Sequence, residues 1–418
     1  MDWASFFFER DNYESRRDLA YTSETFNLDK AAELFGRAGN PAEGIPKIHV
    51  AGTNGKGSTC LYLEQIALAS GRRTGLFLSP HVEHPGERIR TNGSNAGDAA
   101  LGRAATFLKS HIPDSTRPTT FELLFLAALF LFEEAGCDLV ILETGVGGRL
   151  DTTNIITPVV SVITPIDLDH MALLGPDLAT IAAEKAGIIK PGVPLVQAVQ
   201  PPEADRILDA TCARLAVPRR VARPLRVDEL GLAGTRLVRP DGTSFFTCMC
   251  GREQGDNLEL ALVAAQTAGL VVDQPGLAER LATARLPARI EVFGEQPPIV
   301  VDGGHNPQAL ARLGRVLESV RKGRSISVLC GMMADKDCAA NMACIAGWAD
   351  RIVTVDLPGA RAATATQLAS LVPDGRATSA EGETLDVIRA FCASLGPNTI
   401  GVLCGSFVLA GIGRRVVG

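Results

Sequence analysis

The sequence predicts an α/β protein in which a mostly parallel sheet with flanking helices is followed by a second, smaller α/β unit. Three observations lead to this class. Short apolar segments alternate with longer helical patterns along the chain, as in parallel strands joined by helices. The chain has 418 residues, which is too many for one typical hydrophobic core. Its 46% hydrophobic and 21% charged residues are typical of a globular protein.

The candidate strands are short apolar runs bounded by turn residues. In the first two thirds of the chain they cover residues 48–50, 75–78, 139–142, 159–163 and 195–198. In the last third they cover residues 299–301, 325–330, 352–355 and 400–403. Helical patterns stand between these runs, for example at 61–69 and 257–270.

The boundary between the two units is predicted near residue 287. The segment 284–289 follows two helical patterns and contains a proline, as domain linkers often do. The predicted domains are therefore 1–287 and 288–418. Between 200 and 250 the periodicity is weaker and turn residues are frequent, which favours β-hairpins there.

Charge and cysteine usage restrict the possible partners. A net charge of −6 gives no general attraction to nucleic acid or to an anionic membrane, so we expect neither as a partner. The ten cysteines contain no CxxC pair, which favours reduced thiols in the cytoplasm over zinc or disulfide sites. The start of the chain has no basic region followed by a long apolar core, and the most apolar run, 121–132, is short. We therefore expect a cytoplasmic protein with small-molecule ligands.

The segment AGTNGKGST, residues 51–59, has the strand, glycine turn and helix context of a phosphate-binding loop. Its glycines allow backbone N–H groups to approach an anion, Lys56 supplies a positive charge, and Ser58 or Thr59 offers a hydroxyl to a metal ion. The spacing differs from the common Walker form, because Gly57 separates the lysine from the hydroxyl. The segment predicts that the chain binds a nucleoside triphosphate.

Polar residues follow four separate apolar strands and are expected to share one edge of the sheet. They are Lys56, Ser79, Glu143 and His170. Ligands of open α/β sheets bind beyond the carboxyl ends of the strands. A carboxylate at such a position can bind Mg²⁺ on a bound phosphate, which is the role predicted for Glu143. A single histidine is more often a core or capping residue than a ligand, so the prediction for His170 depends on its neighbours.

Several motifs, taken together and in order, resemble the folylpolyglutamate synthase/dihydrofolate synthase family, a branch of the Mur ligase superfamily. They are AGTNGKGS (51–58), LSPH (78–81), ERIR (87–90), TTFE (119–122), ETGVGGRLDTTN (143–154), DLDHMALLG (167–175), AAEKAGIIK (182–190) and DGGHNP (302–307). The resemblance spans roughly residues 20 to 410. It implies an N-terminal Mur-ligase-like ATPase domain with a P-loop and a C-terminal, Rossmann-like glutamate-ligase domain.

The activity implied by this resemblance is an ATP-dependent amide ligation. ATP phosphorylates a carboxylate of dihydropteroate or of a reduced folate, and the amino group of L-glutamate attacks the acyl phosphate. The implied co-substrate is ATP, the implied cofactor is Mg²⁺, and the implied assembly is a monomer. An acyl phosphate fits the chemistry, because an ionised carboxylate is a poor acyl donor until it carries a good leaving group.

The resemblance also implies roles for individual residues. Residues implied to bind ATP are Gly52, Thr53, Asn54, Gly55, Lys56, Gly57, Ser58, Asn257, Arg289 and Asp302. Residues implied to hold the metal are Ser79, Glu143 and His170, and those implied to act in catalysis are Lys56, Glu143, His170 and Lys185. Lys185 matches a lysine that carries an N-carboxyl group in the family. Such a carbamate would convert a cation into an anion beside the metal.

The folate site is implied at two separate segments. Its residues are Thr119, Thr120, Phe121, Glu122, Leu150, Asp151 and Thr152. A pterin has an edge that a carboxylate can pair with and a flat face that an aromatic ring can cover. For Phe121, core packing is an equally strong alternative, because this residue begins an apolar helical stretch. The segments 335–337 and 404–407 also resemble the second domain, and His305 receives no fixed role.

Two other functions compete with this interpretation. Another Mur-type ligase of cell-wall precursors would be expected to carry a GKTT-like loop where this chain has GKGS. A P-loop kinase or switch ATPase would need only the first domain, so the second α/β unit disfavours it. A ligase hydrolyses ATP only when acid and amine are both present, whereas a switch protein does not need them.

Overall fold

The computed structural model describes residues 2–11, 22, 25–359, 361–372 and 375–418. Contacts between Cα atoms divide the chain into two compact units. The first contains Met1–Leu225 and Gly255–Leu281, and the second contains Arg226–Gln254 and Ala282–Gly418. Both units are mixed α/β, so the predicted fold class is confirmed. The division into 1–287 and 288–418 stays a prediction.

The first unit is built on an eight-stranded sheet. Its strands are β1 (Lys47–Ala51), β2 (Thr74–Phe77), β3 (Ile89–Thr91), β4 (Ser94–Asn95), β5 (Leu139–Glu143), β6 (Val160–Ile163), β7 (Leu195–Ala198) and β8 (Arg219–Ala222). The strand order is β4-β3-β2-β5-β1-β6-β7-β8. The strands from β2 to β8 in this order pair in parallel, and β3 and β4 add an antiparallel edge. The carboxyl ends of β2, β5, β1 and β6 therefore lie side by side.

Helices connect these strands. They are α1 (Trp3–Phe8), α2 (Leu28–Arg37), α3 (Lys56–Ala69), α4 (Asp98–His111), α5 (Thr120–Glu134), α6 (Met171–Leu174), α7 (Leu178–Ala186), α8 (Pro202–Leu215), α9 (Gln254–Thr267) and α10 (Leu277–Thr283). One buried apolar cluster contains Phe125 and Phe132 of α5. Another contains Ile181 of α7 and Leu208 of α8. The central strands β5, β1 and β6 are buried along their whole length, as in a sheet that is covered on both faces.

Residues 226–247 form a separate antiparallel sheet of three strands, which belongs to the second unit. They are β9 (Arg226–Gly231), β10 (Gly234–Val238) and β11 (Ser244–Thr247). The hairpins predicted between 200 and 250 are therefore correct for this part only. Between 202 and 215 the prediction was wrong, because Pro202 starts helix α8 and Ala204, Leu208 and Cys212 form its buried stripe.

The second unit also contains a six-stranded sheet. Its strands are β12 (Glu291–Phe293), β13 (Ile299–Val301), β14 (Ser325–Cys330), β15 (Arg351–Thr354), β16 (Ala377–Ser379) and β17 (Thr399–Cys404), in the order β12-β13-β17-β14-β15-β16. Only β12 pairs antiparallel. The helices of this unit are α11 (Pro307–Val320), α12 (Cys338–Ala346), α13 (Ala365–Ser370), α14 (Thr384–Ala393) and α15 (Phe407–Val417).

All nine strands predicted from the sequence are present, each within one residue of its predicted ends. The predicted helix at 61–69 begins earlier, at Lys56, because Gly55 takes a left-handed conformation that ends the glycine turn there. Among the described residues, no helix combines the length and the apolar character needed to cross a membrane.

Candidate functional site

The glycine turn between β1 and α3 is held by the loop that follows the neighbouring strand β6. The N–H group of Thr53 donates to the Pro165 carbonyl at 3.1 Å, and the Thr53 hydroxyl donates to the Asp167 carbonyl at 3.0 Å. A side chain at Gly52 would collide with Thr164. This close approach explains why residue 52 must be glycine, and it fixes the turn at the start of α3, where the first N–H groups and the helix dipole favour an anion.

The two predicted hydroxyl candidates differ in their surroundings. Thr59 is fully buried, and its hydroxyl has no hydrogen-bond partner in the described part of the chain. Ser58 lies one residue earlier on α3 and keeps 7% of its surface exposed. The turn therefore favours Ser58 as the hydroxyl that can reach a bound ligand.

Two lysines from different elements meet at the carbonyl group of Gly52. The Nζ atom of Lys56 donates to this oxygen at 3.2 Å and to the Thr53 carbonyl at 3.3 Å. The Nζ atom of Lys185, on α7, donates to the same Gly52 oxygen at 2.8 Å. The structure thus brings together two residues that the sequence placed far apart.

Lys185 has an unusual environment for a lysine. Its side chain is buried, with 4% of the residue exposed, and burial lowers its pKa to about 7 with a further contribution from the charge of Lys56. Asp169 and Asp151 oppose this shift. A lysine with such a pKa has a large neutral fraction at physiological pH, and the neutral amine is its nucleophilic form.

Glu143 ends β5 beside the end of β2. It is 4% exposed, and its Oε2 atom accepts a hydrogen bond from the Ser79 N–H group at 3.0 Å. The Cys60 thiol of α3 is close enough that Glu143 adds to the burial that raises the pKa of that thiol. Ser79 and Glu143 therefore lie together, next to the helix that begins at the glycine turn.

His170 lies in a different kind of position. It precedes α6 with φ of 49°, its side chain is 42% exposed, and its Nε2 atom is 3.8 Å from Asp169. The described residues contain no cluster of three His, Cys, Asp or Glu side chains with metal-site geometry. The metal role of His170 stays a prediction.

The loop after Glu143 is held by one buried carboxylate. Asp151 accepts hydrogen bonds from the N–H groups of Gly145 at 2.9 Å and Val146 at 3.1 Å, and from the N–H and hydroxyl groups of Thr153. Because the Thr153 hydroxyl donates to Asp151, its oxygen accepts from Nε2–H of the buried His49 at 2.8 Å. Burial lowers the pKa of His49 to about 3, which keeps this ring neutral.

Replacing Asp151 by asparagine should destabilise the protein. Both carboxylate oxygens of Asp151 accept hydrogen bonds from N–H groups, but the amide of asparagine has only one oxygen. Its NH₂ group would face an N–H donor, and a buried donor left without an acceptor costs about 1–3 kcal/mol. Chemical unfolding of Asp151→Asn should show this loss, whereas Thr153→Ser, which keeps the hydroxyl, should lose less. Equal stability of Asp151→Asn and the parent would contradict the proposed role in holding the loop.

The same loop contacts the helix that carries Lys185. The Arg149 N–H group donates to the Glu184 carbonyl at 2.7 Å, and the two side chains form an ion pair at 2.9 Å. A Cβ atom at Gly148 would lie 2.8 Å from the Glu184 carbonyl oxygen. Close packing of loop and helix therefore links the positions of Glu143 and Lys185.

The two predicted folate segments meet at Gly145. A Cβ atom there would lie 2.8 Å from the ring of Phe121 and 3.2 Å from Asp151. Phe121 is partly buried and packs edge-on against Phe77 at 5.6 Å. Leu150 is buried beside Asp151, and Thr152 begins the short turn that follows it. The structure therefore shows packing contacts of Phe121, and its role in binding a ligand stays a prediction.

The polar groups at the start of α5 already have partners within the protein. Thr119 and Glu122 form a capping box, and Glu122 also pairs with Lys30 at 2.9 Å. The Thr120 hydroxyl donates to the Phe7 carbonyl at 2.9 Å. These contacts hold the start of α5, and with it Phe121, in place. The role of these residues in binding folate stays a prediction.

Asn257, predicted to bind ATP, lies in the first turn of α9 and is 2% exposed. A side chain at Gly55 would collide with its amide oxygen, and Gly55 has φ of 85°. Asn257 therefore packs directly on the glycine turn. Asn54 is held nearby through its N–H group, which donates to the Pro165 carbonyl at 3.3 Å.

In the second unit, Asp302 and Arg289 are neighbours. Asp302 is 7% exposed and accepts from the N–H groups of Ile290 at 2.8 Å and Gly304 at 2.7 Å. Burial raises its pKa, and the charge of Arg289 opposes the shift. The Arg289 guanidinium lies 4.7 Å from the ring centre of Phe407. His305, without an assigned role, has its ring 5.6 Å from the same phenylalanine.

Sequence reasoning missed three features of these sites. The buried Arg88 donates from Nε to Nδ1 of His81 at 2.8 Å, close to the end of β2. Glu291 and Arg414 form an ion pair at 2.8 Å beside Arg289. His49 lies under Thr153. The motifs LSPH and ERIR contained His81 and Arg88, but no local pattern indicates the partners of His49 and Glu291.

Comparison with known proteins assigns the chain to a family. Residues 50–198 match the Mur ligase middle domain, and residues 288–407 match the Mur ligase glutamate ligase domain. A dihydrofolate synthase/folylpolyglutamate synthase of Escherichia coli is 35% identical over 86% of this chain and 83% of its own length. A folylpolyglutamate synthase of Lacticaseibacillus casei is 32% identical over 92% of each chain.

Solved structures agree with these matches. An E. coli protein of this kind in complex with DHPP and ADP has a TM-score of 0.86, with 30% identity over 99% of this chain and 97% of its own. A bifunctional synthase with Mn, AMPPNP and L-glutamate bound has a TM-score of 0.79, with 31% identity over 93% of this chain and 94% of its own. The chain belongs to the dihydrofolate synthase/folylpolyglutamate synthase family of ATP-dependent ligases.

Proposed function

We propose that this enzyme joins L-glutamate to the carboxylate of dihydropteroate, of a reduced folate, or of both, through an acyl phosphate. The observation that carries the proposal is the meeting of Lys56 and Lys185 at the Gly52 carbonyl, beside Glu143 and the glycine turn. Relatives named for folate ligation and a solved relative with DHPP and ADP support the substrate class. The proposed amine substrate follows the solved relative with L-glutamate bound.

The proposed reaction has two steps. A carboxylate oxygen of the acceptor attacks the γ-phosphorus of ATP, and ADP leaves. The glutamate amine then attacks the acyl carbon and loses a proton, and phosphate leaves with the former carboxylate oxygen. The glycine turn and Lys56 bind and orient the phosphates, because N–H groups at a helix start and a cation stabilise the charge that develops there.

A divalent metal ion fits the residues beside the turn. The Glu143 carboxylate and the Ser79 hydroxyl are the hard oxygen ligands that Mg²⁺ and Mn²⁺ accept, and they lie on adjacent strand ends. When bound there, such an ion would screen the charge of the phosphates. We propose Mg²⁺ as the physiological ion.

Lys185 is proposed to carry a carbamate. Its neutral amine forms an N–C bond with CO₂, one C=O π bond breaks, and the amine loses a proton. The burial of this amine and its lowered pKa favour the neutral form that this addition requires. The product is an anion near Lys56. Asn257, Arg289 and Asp302 remain proposed ATP contacts, and the segments at 119–122 and 150–152 remain the proposed folate site.

Product analysis tests the substrate choice. Dihydropteroate and tetrahydrofolate are supplied as separate acceptors, with acceptor carboxylates labelled with heavy oxygen. We expect ADP release beyond one equivalent per enzyme to require both acceptor and glutamate, and the label to appear in the released phosphate. Continuous ADP release without glutamate would indicate a kinase or switch ATPase, and unlabelled phosphate would exclude the acyl phosphate. Turnover of one acceptor alone would assign a single activity.

A further inference from the structure

The segment that carries Arg289 has an unusual backbone. Ala288 and Ile290 flank Arg289, and both have positive φ, 54° and 47°. A β-branched residue rarely adopts this region, because its Cβ substituents crowd the backbone. Such conformations persist where the surrounding structure holds them, and they concentrate at ligand-binding segments.

Hydrogen bonds hold this segment from two sides. On one side, the Ile290 N–H group donates to Asp302 at 2.8 Å, and the Ala288 carbonyl accepts from the Gly303 N–H group at 2.9 Å. On the other side, the Ala288 N–H group donates to Oε2 of Glu291 at 3.1 Å. Ala288 and Ile290 are buried, at 0% and 6% exposure. The backbone around Arg289 therefore has little freedom.

Glu291 is in turn held by the C-terminal helix α15. Arg414 contacts both of its carboxylate oxygens, with Nε 2.8 Å from Oε2 and Nη2 3.3 Å from Oε1. Only the Nη2 contact is a hydrogen bond, and the Nε contact brings the guanidinium charge against Oε2. The Glu291 side chain is 9% exposed, so the ion pair is largely shielded from water, which strengthens it and favours one position of the carboxylate. The first residue of the same helix, Phe407, lies beneath the Arg289 guanidinium.

We propose that Arg414 and Glu291 are positioning residues that hold the 288–290 backbone, so that Arg289 is presented to ATP over the Phe407 ring. Helix α15 thus acts on the nucleotide through Arg289, without contacting the nucleotide itself. The inference rests on the proposed contact of Arg289 with ATP. It extends that proposal by naming Arg414 and Glu291 as the residues that keep Arg289 in place.

The test compares Arg414→Met with Arg415→Met in the full-length enzyme. Arg415 is the next residue of the same helix and is exposed, so it controls for the loss of one arginine. We expect Arg414→Met to raise KM for ATP about three- to tenfold, with kcat and KM for glutamate nearly unchanged. Arg414→Lys keeps the positive charge but lacks the planar guanidinium, so its KM for ATP should lie between those of the parent and Arg414→Met. The lysine variant replaces the methionine variant in the test if the latter does not fold.

A double-mutant cycle with Arg289→Ala decides whether Arg414 acts through Arg289. If Arg414 acts through Arg289, Arg414→Met raises KM for ATP in the parent enzyme and has no further effect on it in the Arg289→Ala background. If Arg414→Met raised KM for ATP by the same factor in both backgrounds, the inference would be overturned. It would also be overturned if Arg414→Met left KM unchanged while Arg289→Ala raised it, and in that case the ATP role of Arg289 would stand. An unchanged KM in Arg289→Ala alone would remove that ATP role and the inference with it.

Discussion

Replacing Lys185 by alanine should reduce glutamate ligation by at least about 10³-fold, the size of effect seen when a group that stabilises transition-state charge is lost. Alanine cannot carry a carbamate. The buried site that the Lys185 side chain occupies next to the Gly52 carbonyl would therefore lack an anion. Steady-state turnover with saturating ATP, acceptor and glutamate measures the loss. Small carboxylic acids at high concentration should restore part of the activity, because their carboxylate can occupy the vacated position.

Lys190 provides a matched control for this experiment. It is a partly buried lysine that, like Lys185, donates to a backbone carbonyl, in this case that of Asn154, at 2.9 Å. Lys190→Ala should therefore lose some stability and retain turnover. Full activity of Lys185→Ala, or an unmodified amine in an enzyme that is fully active in bicarbonate buffer, would refute the carbamate. Since burial lowers the pKa of Lys185 to about 7, activation at a constant concentration of dissolved CO₂ should become faster as the pH rises through that value and should level off above it, because the neutral amine is the form that adds CO₂.

Replacing Glu143 by glutamine should lower turnover by at least about 10²-fold with little effect on folding. The amide is neutral, so it is a weaker ligand for a divalent cation than the carboxylate is. Its oxygen can still accept the hydrogen bond from the Ser79 N–H group, which preserves the local structure. The measurement is turnover as a function of Mg²⁺ concentration, with the unfolding midpoint determined in parallel.

An exposed glutamate gives the control for this substitution. Glu134→Gln removes the same charge from a surface pair with Arg103, where ion pairs contribute little to stability. We expect this variant to have parental turnover and parental Mg²⁺ dependence. If Glu143→Gln reached near-parental turnover at saturating Mg²⁺, Glu143 would have no part in binding the metal.

The site residues that the sequence could predict are those that directly follow a strand. Lys56, Ser79 and Glu143 follow apolar runs, and parallel strands bring their carboxyl ends to one edge of a sheet. The pairing of Ser79 with Glu143 was therefore foreseeable once β2 and β5 were neighbours. His170 follows a fourth strand end, but six residues separate β6 from it, and its side chain is largely exposed. The longer the loop after a strand, the less the position of a loop residue follows from the position of the strand end.

Helix α8 shows how composition can mislead. Prolines and polar residues near 202 suggested hairpins, although proline at the first turn of a helix costs nothing because its missing N–H group would have no partner there. The four-residue spacing of Ala204, Leu208 and Cys212 was the helical signal in this segment. Asp151 illustrates the opposite case, since its sequence motif indicated a ligand contact and the structure shows four hydrogen bonds within the protein.

The sequence alone determined the fold class, the positions of the nine predicted strands and the glycine turn with Lys56, because apolar periodicity and glycine conformation are local properties of the chain. Only the tertiary structure decided that Lys185 meets the carbonyl of Gly52, 133 residues away, and that Arg414 meets Glu291, 123 residues away. Such contacts depend on strand order and on the packing of helices against the sheet. No short segment of sequence encodes that arrangement, since it is the property of many residues packing at once.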